Sequence, residues 1–328
     1  MAETTDAFWY VGDGRGEIRP TALPPLAPGW VEVETTHSAL SRGTERLVAQ
    51  GRVPESERAR MRAPFQEGDF PHPVKYGYAA VGRVVAGAGP EAAALIGREV
   101  FALHPHQARF RVPAAAALPL PEGVPPERAV LAANAETALN AIWDADIAPG
   151  SRVLVVGAGL LGCLVAGLLA PRNDLEVVIA DVIASRRSIA GELNVTFRQA
   201  TETGSGYVVA IHTSASAAGL QTALDALDFE GRVVELSWYG DRPVEVSLGG
   251  AFHSRRLRLI SSQVGHVAPA RRASTSRRDR LACALAALAA PRFDALVTET
   301  VAFTSLPERI DRLLAPDAAG IATCIRYD

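Results

Sequence analysis

One run, "VLVVGAGLLGCLVAGLLA" from Val153 to Ala170, constrains this chain more than any other. It is long and apolar enough to suggest a membrane span. Its composition argues otherwise. β-Branched residues lead into glycines, and leucine and alanine follow them, so strand-type sequence changes to helix-type at the turn. The run predicts a buried strand, a tight turn and a buried helix. Gly157, Gly159 and Gly162 stand in G-x-G-x-x-G spacing. The first glycine permits the turn, the second lets backbone approach a pyrophosphate, and the third lets helix and strand pack closely. The helix start, with Leu160 and Leu161, offers free N–H groups and a partial positive charge to phosphates.

The next strand, "EVVIAD", ends at Asp181, 19 residues past Gly162. A carboxylate there can accept hydrogen bonds from both hydroxyls of an adenosine ribose and repel a 2′-phosphate, which favours NAD over NADP. Arg186 and Arg187 follow closely and soften that repulsion. A loop carboxylate or helix cap is the plainer alternative. Further strands alternate with helices: "GYVVAIHTS", "GRVVELS" and "LRLISSQVG". The pattern is α/β, a doubly wound parallel sheet covered on both faces. Carboxyl ends of such strands face the ligand crevice. Thr213, Ser214, Ser237 and Gln263 are therefore candidate cofactor contacts. His212 and Ser262 lie beside them, and Trp238 and Tyr239 are candidate walls of an aromatic pocket.

Residues 1–124 read differently. "WVEVETTHSAL", "YAAVGRVVAG" and "REVFAL" have strand alternation, and frequent prolines favour short strands and loops. The polar segment "GRVPESERARMRAPFQEGDF" reads as an exposed, partly helical insertion. After residue 265 come a basic loop through Arg280, two helices and two strands. The chain has 328 residues, which suggests two domains. They are expected at 125–265 for the nucleotide-binding domain, and at 1–124 with 266–328 for the other. A net charge of −3 asks for neither nucleic acid nor an anionic membrane. Cys163, Cys283 and Cys324 form no C-x-x-C pair, so no cysteine zinc site or disulfide framework is expected, and a reducing, cytoplasmic setting fits. The N-terminus shows no signal-peptide pattern.

The order of segments resembles the medium-chain dehydrogenase/reductase superfamily over nearly the whole chain. The words that carry the resemblance are "VEVETTHSALSRGTERLV", "KYGYAAVGRVV", "VPAAAALPLPEGVPPERAVLA", "APGSRVLVVGAGLLG" and "FDALVTETVAFTSLPERIDRLL". It implies a GroES-like, β-rich catalytic domain made from both chain ends, a Rossmann domain between them in sequence, and an active site in the cleft. It also implies a homodimer paired through edge strands, for which "LRLISSQVG" is the candidate. "SRGTE" and "KYGY" look closest to the bacteriochlorophyllide a dehydrogenase-like branch, which implies oxidation of a hydroxyethyl group to acetyl.

Zinc-dependent members of this family carry a cysteine ligand just before a G-T-D triplet; here Ser41 and Arg42 precede Gly43-Thr44-Glu45. Their histidine in G-H-E corresponds to Tyr78 in Gly77-Tyr78-Ala79. Their third ligand falls near Ala132 and Ala133, and the four-cysteine structural lobe is missing. Zinc wants thiolate, imidazole or carboxylate, so no catalytic zinc is expected, and hydrogen-bonding or titrating side chains must stabilise the developing alkoxide.

Tyr78 can donate to the substrate oxygen, or act as a base if a cation such as Arg42 or Lys75 lowers its pKa; it can equally just fill the metal's place. Ser41 and Thr44 suit a hydroxyl relay. Glu45 can orient Tyr78 or pair with Arg42. Glu136 and Thr137 fall where the family meets the nicotinamide, Glu136 as a base or an idle polar residue. His104 and His106 are candidate proton carriers. The leading expectation is an NAD-dependent, zinc-independent oxidoreductase acting on an alcohol/carbonyl pair of a small molecule. A quinone or enone reductase and a non-catalytic nucleotide-binding protein remain open.

Overall fold

The computed structural model describes residues 3–328. The front of the chain is a run of short strands, as its alternation and prolines suggest. β1 (Thr4–Gly12) and β2 (Arg15–Ala22) form an antiparallel hairpin turned by Asp13 and Gly14, both at positive φ, the turn that matches strand twist. β3 (Trp30–Leu40) leads directly into helix α1 (Arg42–Ala49). Then come β4 (Glu67–Gly68), β5 (Val74–Lys75), β6 (Ala80–Gly87), α2 (Pro90–Ala93), β7 (Glu99–Ala102), β8 (Arg109–Pro113) and β9 (Leu118–Pro119). The helical segment expected from Pro126 is split into α3 (Pro126–Ala129) and α4 (Ala132–Ala145).

The glycine-rich run folds as read: β10 (Arg152–Val156), a turn, and α5 (Leu160–Leu169). β11 (Glu176–Asp181), α6 (Arg187–Glu192), β12 (Thr196–Gln199), β13 (Tyr207–His212), α7 (Ala217–Ala226), β14 (Leu227–Glu235), β15 (Arg258–Ser261) and α8 (Arg277–Ala287) follow. β16 (Val297–Ala302), α9 (Leu306–Leu313) and β17 (Ala322–Arg326) close the chain.

Two units result, one running to Ala133 and resuming at Val297, the other Asn134–Leu296. In the first, one sheet runs β2-β1-β5-β4 and another β16-β17-β3-β6-β7-β9, with β8 also on β3. β17 lies antiparallel to β3, with Thr323 opposite Leu40, so the two chain ends share a sheet. Val31, Val33, Ala80, Val84, Val100, Phe110 and Val112 form its core.

The second unit is a six-stranded, all-parallel sheet in the order β12-β11-β10-β13-β14-β15. Strand order reverses beside β10, which puts the glycine turn at the switch point where such sheets bind ligands. Leu154, Val156, Val178, Tyr207, Leu224 and Val233 pack between sheet and helices.

Sequence reading set the second boundary at residue 265, yet residues 266–296 belong to this unit. The reason is packing: the Phe293 ring occupies the space a Cβ on Gly167 would need, 2.6 Å away, and Arg280 of α8 pairs with Glu136 of α4. Among the described residues, no helix is long and apolar enough to cross a membrane.

Candidate functional site

In the second unit the three glycines have separate reasons. Gly157 turns the chain at φ +104°, a conformation L side chains rarely adopt. A Cβ on Gly162 would lie 1.8 Å from the Gly157 carbonyl oxygen, so α5 can sit on the turn only without one. Gly159, at the N-terminus of α5, has nothing within 4 Å of its Cβ position. Leu160 and Leu161 behind it are half-buried. Open backbone at a helix N-terminus lets a phosphate approach. Thr213 shares its hydroxyl proton between the carbonyls of Val156 (3.1 Å) and Gly157 (3.0 Å), which braces the turn.

Asp181, at the end of β11, accepts the Ala158 N–H at 2.6 Å on Oδ2 and the Ile183 N–H at 2.8 Å on Oδ1. It ties the second strand to the glycine turn, and each oxygen keeps lone-pair capacity for ribose hydroxyls. Val182 beside it is 80% exposed, an apolar ledge, and Arg186 is half-buried. Open glycine, free helix end and strand-end carboxylate together fit a dinucleotide.

The ends of β13 and β14 carry a second polar group. His212 Nδ1 lies 2.7 Å from Glu235 Oε2, and Nε2 lies 2.6 Å from Ser214 Oγ. Ser237 accepts the Ala215 N–H on Oγ and donates its own N–H to Glu235 Oε1 at 2.7 Å; the Tyr239 phenol donates to Oε2 at 3.1 Å. The Tyr239 phenol is thus held by Glu235.

In the first unit α1 brings the catalytic candidates together. Ser41 caps the helix, and its N–H donates to Glu45 Oε1 at 2.6 Å. The Tyr78 phenol donates to Ser41 Oγ and also bonds with Thr44. Burial pushes the Tyr78 phenol up to about 12, against the hydrogen bonds to Ser41 and Thr44, which lower it. Tyr78 is therefore a protonated donor at neutral pH, which corrects the reading of it as a base. The cations invoked for that reading point elsewhere. Lys75 binds Glu67 (2.5 Å) and Gln107 (2.6 Å), and Arg42 reaches the carbonyls of Ala318 and Ala319.

Glu45 is fully buried and paired, though with His106 rather than Arg42. Its Oε2 accepts from the Tyr10 phenol at 2.6 Å and from His106 Nε2 at 3.0 Å. His106 Nδ1 meets Ser38 Oγ at 2.9 Å, and Ser38 meets the Tyr327 phenol at 3.0 Å. With a proton on Nε2, His106 satisfies Glu45 on one side and meets Ser38 on the other. Burial opposes ionisation of Glu45, but His106, Tyr10 and the Ser41 N–H outweigh it and hold the carboxyl below its usual range. Tyr10, Ser38 and Tyr327 were not anticipated. The only signal in sequence was an acidic residue facing the core side of a short helix.

The remaining candidates are occupied otherwise. His104 is stacked between Phe65 and Phe110, 4.1 Å from the latter, with Nδ1 bonded to the Pro105 carbonyl. Burial pushes its pKa down to about 3, so it stays neutral and is a poor proton carrier near pH 7. Glu136 is bound by Arg280 at 3.0 Å, so it is not a free base. Arg280 is itself 1% exposed and also holds Asn140 and the His266 carbonyl. Thr137 lies half-buried on α4. Gln263 folds back to accept the Gly265 N–H at 2.7 Å, a local turn.

For zinc the donor set does not fit. The positions singled out hold a hydroxyl pair, Ser41 and Tyr78, bonded to each other, and Ala133 near the third. Among the described residues, no group of three His, Cys, Asp or Glu side chains is placed to hold a metal ion.

No protein-family model matches the chain. It is 42% identical to L-galactonate-5-dehydrogenase of Escherichia coli (strain K12) over 76 residues, 23% of this chain and 22% of that protein. The match thus spans under a quarter of that relative. Among solved structures it is similar to L-idonate 5-dehydrogenase from Escherichia coli, at 16% identity and TM-score 0.79 over 100% of this chain and 99% of the other. It is also similar to a short chain alcohol dehydrogenase from Escherichia coli CFT073 complexed with the cofactor NADH, at 17% identity and TM-score 0.76 over 99% of both chains. The fold is that of the medium-chain dehydrogenases, a GroES-like β-rich unit and a Rossmann unit.

Proposed function

We propose that this chain is an NAD-dependent, zinc-independent oxidoreductase acting on an alcohol/carbonyl pair of a small organic substrate. The observation that carries the reading is the tie between Asp181 and the Ala158 N–H of the glycine turn. It sets a carboxylate beside the open backbone of Gly159, where a dinucleotide's ribose and pyrophosphate are recognised. A bound nicotinamide supplies hydride acceptance or donation at C4. The Tyr78–Ser41–Thr44 hydroxyls handle the proton. Each can give one proton as it takes another, so a proton from the substrate oxygen passes along these hydroxyls to solvent beside half-exposed Thr44, or back again for reduction, without a lasting phenolate.

The names of the relatives, dehydrogenases of L-galactonate and L-idonate, favour a secondary alcohol of a polyol acid as the first class to try. The "SRGTE" and "KYGY" words keep a hydroxyethyl side chain as a second arm. β15 is the sheet edge, bonded on one side only to β14 with Leu259 exposed, and it is the proposed seam of a homodimer. Light scattering at a monomer mass would remove the dimer.

Calorimetric titration with NADH and NADPH, beside metal analysis of the purified protein, tests the main reading. NADH should bind at least ~10-fold more tightly, about 1.4 kcal/mol. Tighter NADPH binding, or one zinc per chain, would sink it.

A further inference from the structure

Ser214, His212 and Glu235 have the connectivity of a hydrolytic triad; the proposed hydride chemistry asks of Ser214 only a contact to the cofactor, and has no use for the His212–Glu235 pair behind it. His212 is fully buried, and its two nitrogens are committed in opposite directions: Nδ1 to Glu235 at 2.7 Å and Nε2 to Ser214 Oγ at 2.6 Å. A carboxylate on Nδ1 selects the tautomer whose Nε2 is a free acceptor. Glu235 is itself fixed by the Ser237 N–H and the Tyr239 phenol. Burial opposes its ionisation, but His212 and Ser237 outweigh that and keep it a carboxylate.

The far end of the chain is open. Ser214 is exposed, whereas His212 behind it is closed off from water. Ser216 caps α7 by accepting the Gly219 N–H, so its own hydroxyl proton is free to donate to Ser214 Oγ, 3.0 Å away. That leaves the Ser214 proton for His212. The hydroxyl also lies at the N-terminus of α7, where the helix dipole favours developing negative charge. Two backbone features make the approach possible. Ala215 adopts φ +51°, a left-handed conformation unusual for alanine, directly after Ser214. Gly219 leaves the space that the group needs. A Cβ there would sit 2.2 Å from Ser214 Oγ and 2.9 Å from His212 Nε2.

We propose that Ser214 is an activated nucleophile, with His212 as its general base and Glu235 as the orienting carboxylate, that takes acyl or phosphonyl groups from activated esters. Ser214 Oγ attacks the carbonyl carbon of an aryl ester while its proton passes to His212 Nε2. The bond from carbonyl carbon to phenol oxygen breaks, the phenol oxygen takes the proton from Nε2, and acyl-Ser214 remains. Water repeats the sequence, releasing the carboxylic acid and restoring the hydroxyl. No oxidant or reductant enters.

The test is labelling of the full-length protein with a fluorophosphonate probe, with the adduct located by peptide mass spectrometry, beside 4-nitrophenyl acetate hydrolysis. Ser214 of the unaltered chain should carry the adduct and Ser214→Ala should carry none. Gly219→Ala should label at least ~10-fold more slowly, because it separates Ser214 from its base while improving α7 as a helix. Glu235→Gln should slow labelling similarly. Circular dichroism checks that each variant is folded. The proposal is overturned if the unaltered protein gives no Ser214 adduct, or if folded Gly219→Ala labels at the same rate.

Discussion

His106 and His212 are both fully buried, and each is bonded to a glutamate, at 3.0 Å to Glu45 and at 2.7 Å to Glu235. Their other ring nitrogens differ. His106 turns to Ser38, itself fully buried, and the chain continues to Tyr327. His212 turns to Ser214, which is exposed. The same chemical pair is therefore a strut in one unit and an open-ended device in the other. What decides is whether the last hydroxyl meets packed protein or water. In the proposed chemistry the strut would act at one remove: Glu45 holds the Ser41 backbone N–H, and Ser41 Oγ accepts the Tyr78 hydrogen bond. His106 and Tyr10 would then position Tyr78.

The largest effect that would break the comparison is on stability. Glu45→Ala leaves Tyr10, the Ser41 N–H and His106 without their acceptor in a closed interior, and at roughly 1–3 kcal/mol for each unsatisfied donor should cost about 3 kcal/mol or more in urea unfolding. Glu235→Ala, with water nearby, should cost only about 1–3 kcal/mol. Equal costs would mean that exposure of the far hydroxyl does not separate the two pairs.

Next comes Tyr78→Phe. Removing one positioned proton donor should lower kcat by roughly 100-fold or more, with stability changed by no more than about 1.5 kcal/mol. A turnover number unchanged by this substitution would reduce Tyr78 to a space-filler.

A smaller contrast lies within the glycine turn. Gly162→Ala should lose about 1–3 kcal/mol of stability, since its Cβ meets the Gly157 carbonyl. Gly159→Ala should leave stability within about 0.5 kcal/mol and yet weaken NADH binding measurably by calorimetry. If both substitutions act only on stability, the open backbone at Gly159 is not a ligand surface.

A last contrast, spread over several pH units, concerns a third histidine. His104 has its pKa pushed down to about 3 from an ordinary 6.5. The unfolded chain therefore takes up this proton first as pH falls. Stability from His104 is full above about 6.5 and is lost at up to about 1.4 kcal/mol per pH unit between there and about 3. His104→Phe, which keeps the stack with Phe65 and Phe110, should flatten that part of the acid limb in a pH series of unfolding measurements. An unchanged slope would show that other groups control it.

Much of the fold was legible because its signals are local. "RVLVVGAGLLG" and "EVVIAD" state strand, turn and strand end within a few residues, and β3, β6 and β7 form where alternation was read. β12 was not anticipated: "TFRQ" is short and polar, and becomes a strand only by pairing with β11. The boundary at Leu296 was missed for a similar reason. Phe293 against Gly167 and Arg280 against Glu136 are contacts across more than 120 residues, and no window of sequence contains them.

The site divides along the same line. Sequence alone determined the glycine turn and the strand-end carboxylate, because each is a matter of residue type at fixed spacing; that Ser41 and Tyr78 stand where zinc-dependent dehydrogenases carry ligands is what the family resemblance implies. Tertiary structure alone decided protonation and partnership. Tyr78 is a donor because burial raises its phenol. Glu136 is taken by Arg280, 144 residues away. His104 is silenced by a stack, and His212 is aimed at Ser214 by a glutamate on another strand. The physical reason is that charge state depends on desolvation and on neighbours within a few ångströms, and those neighbours come from parts of the chain that only folding brings together.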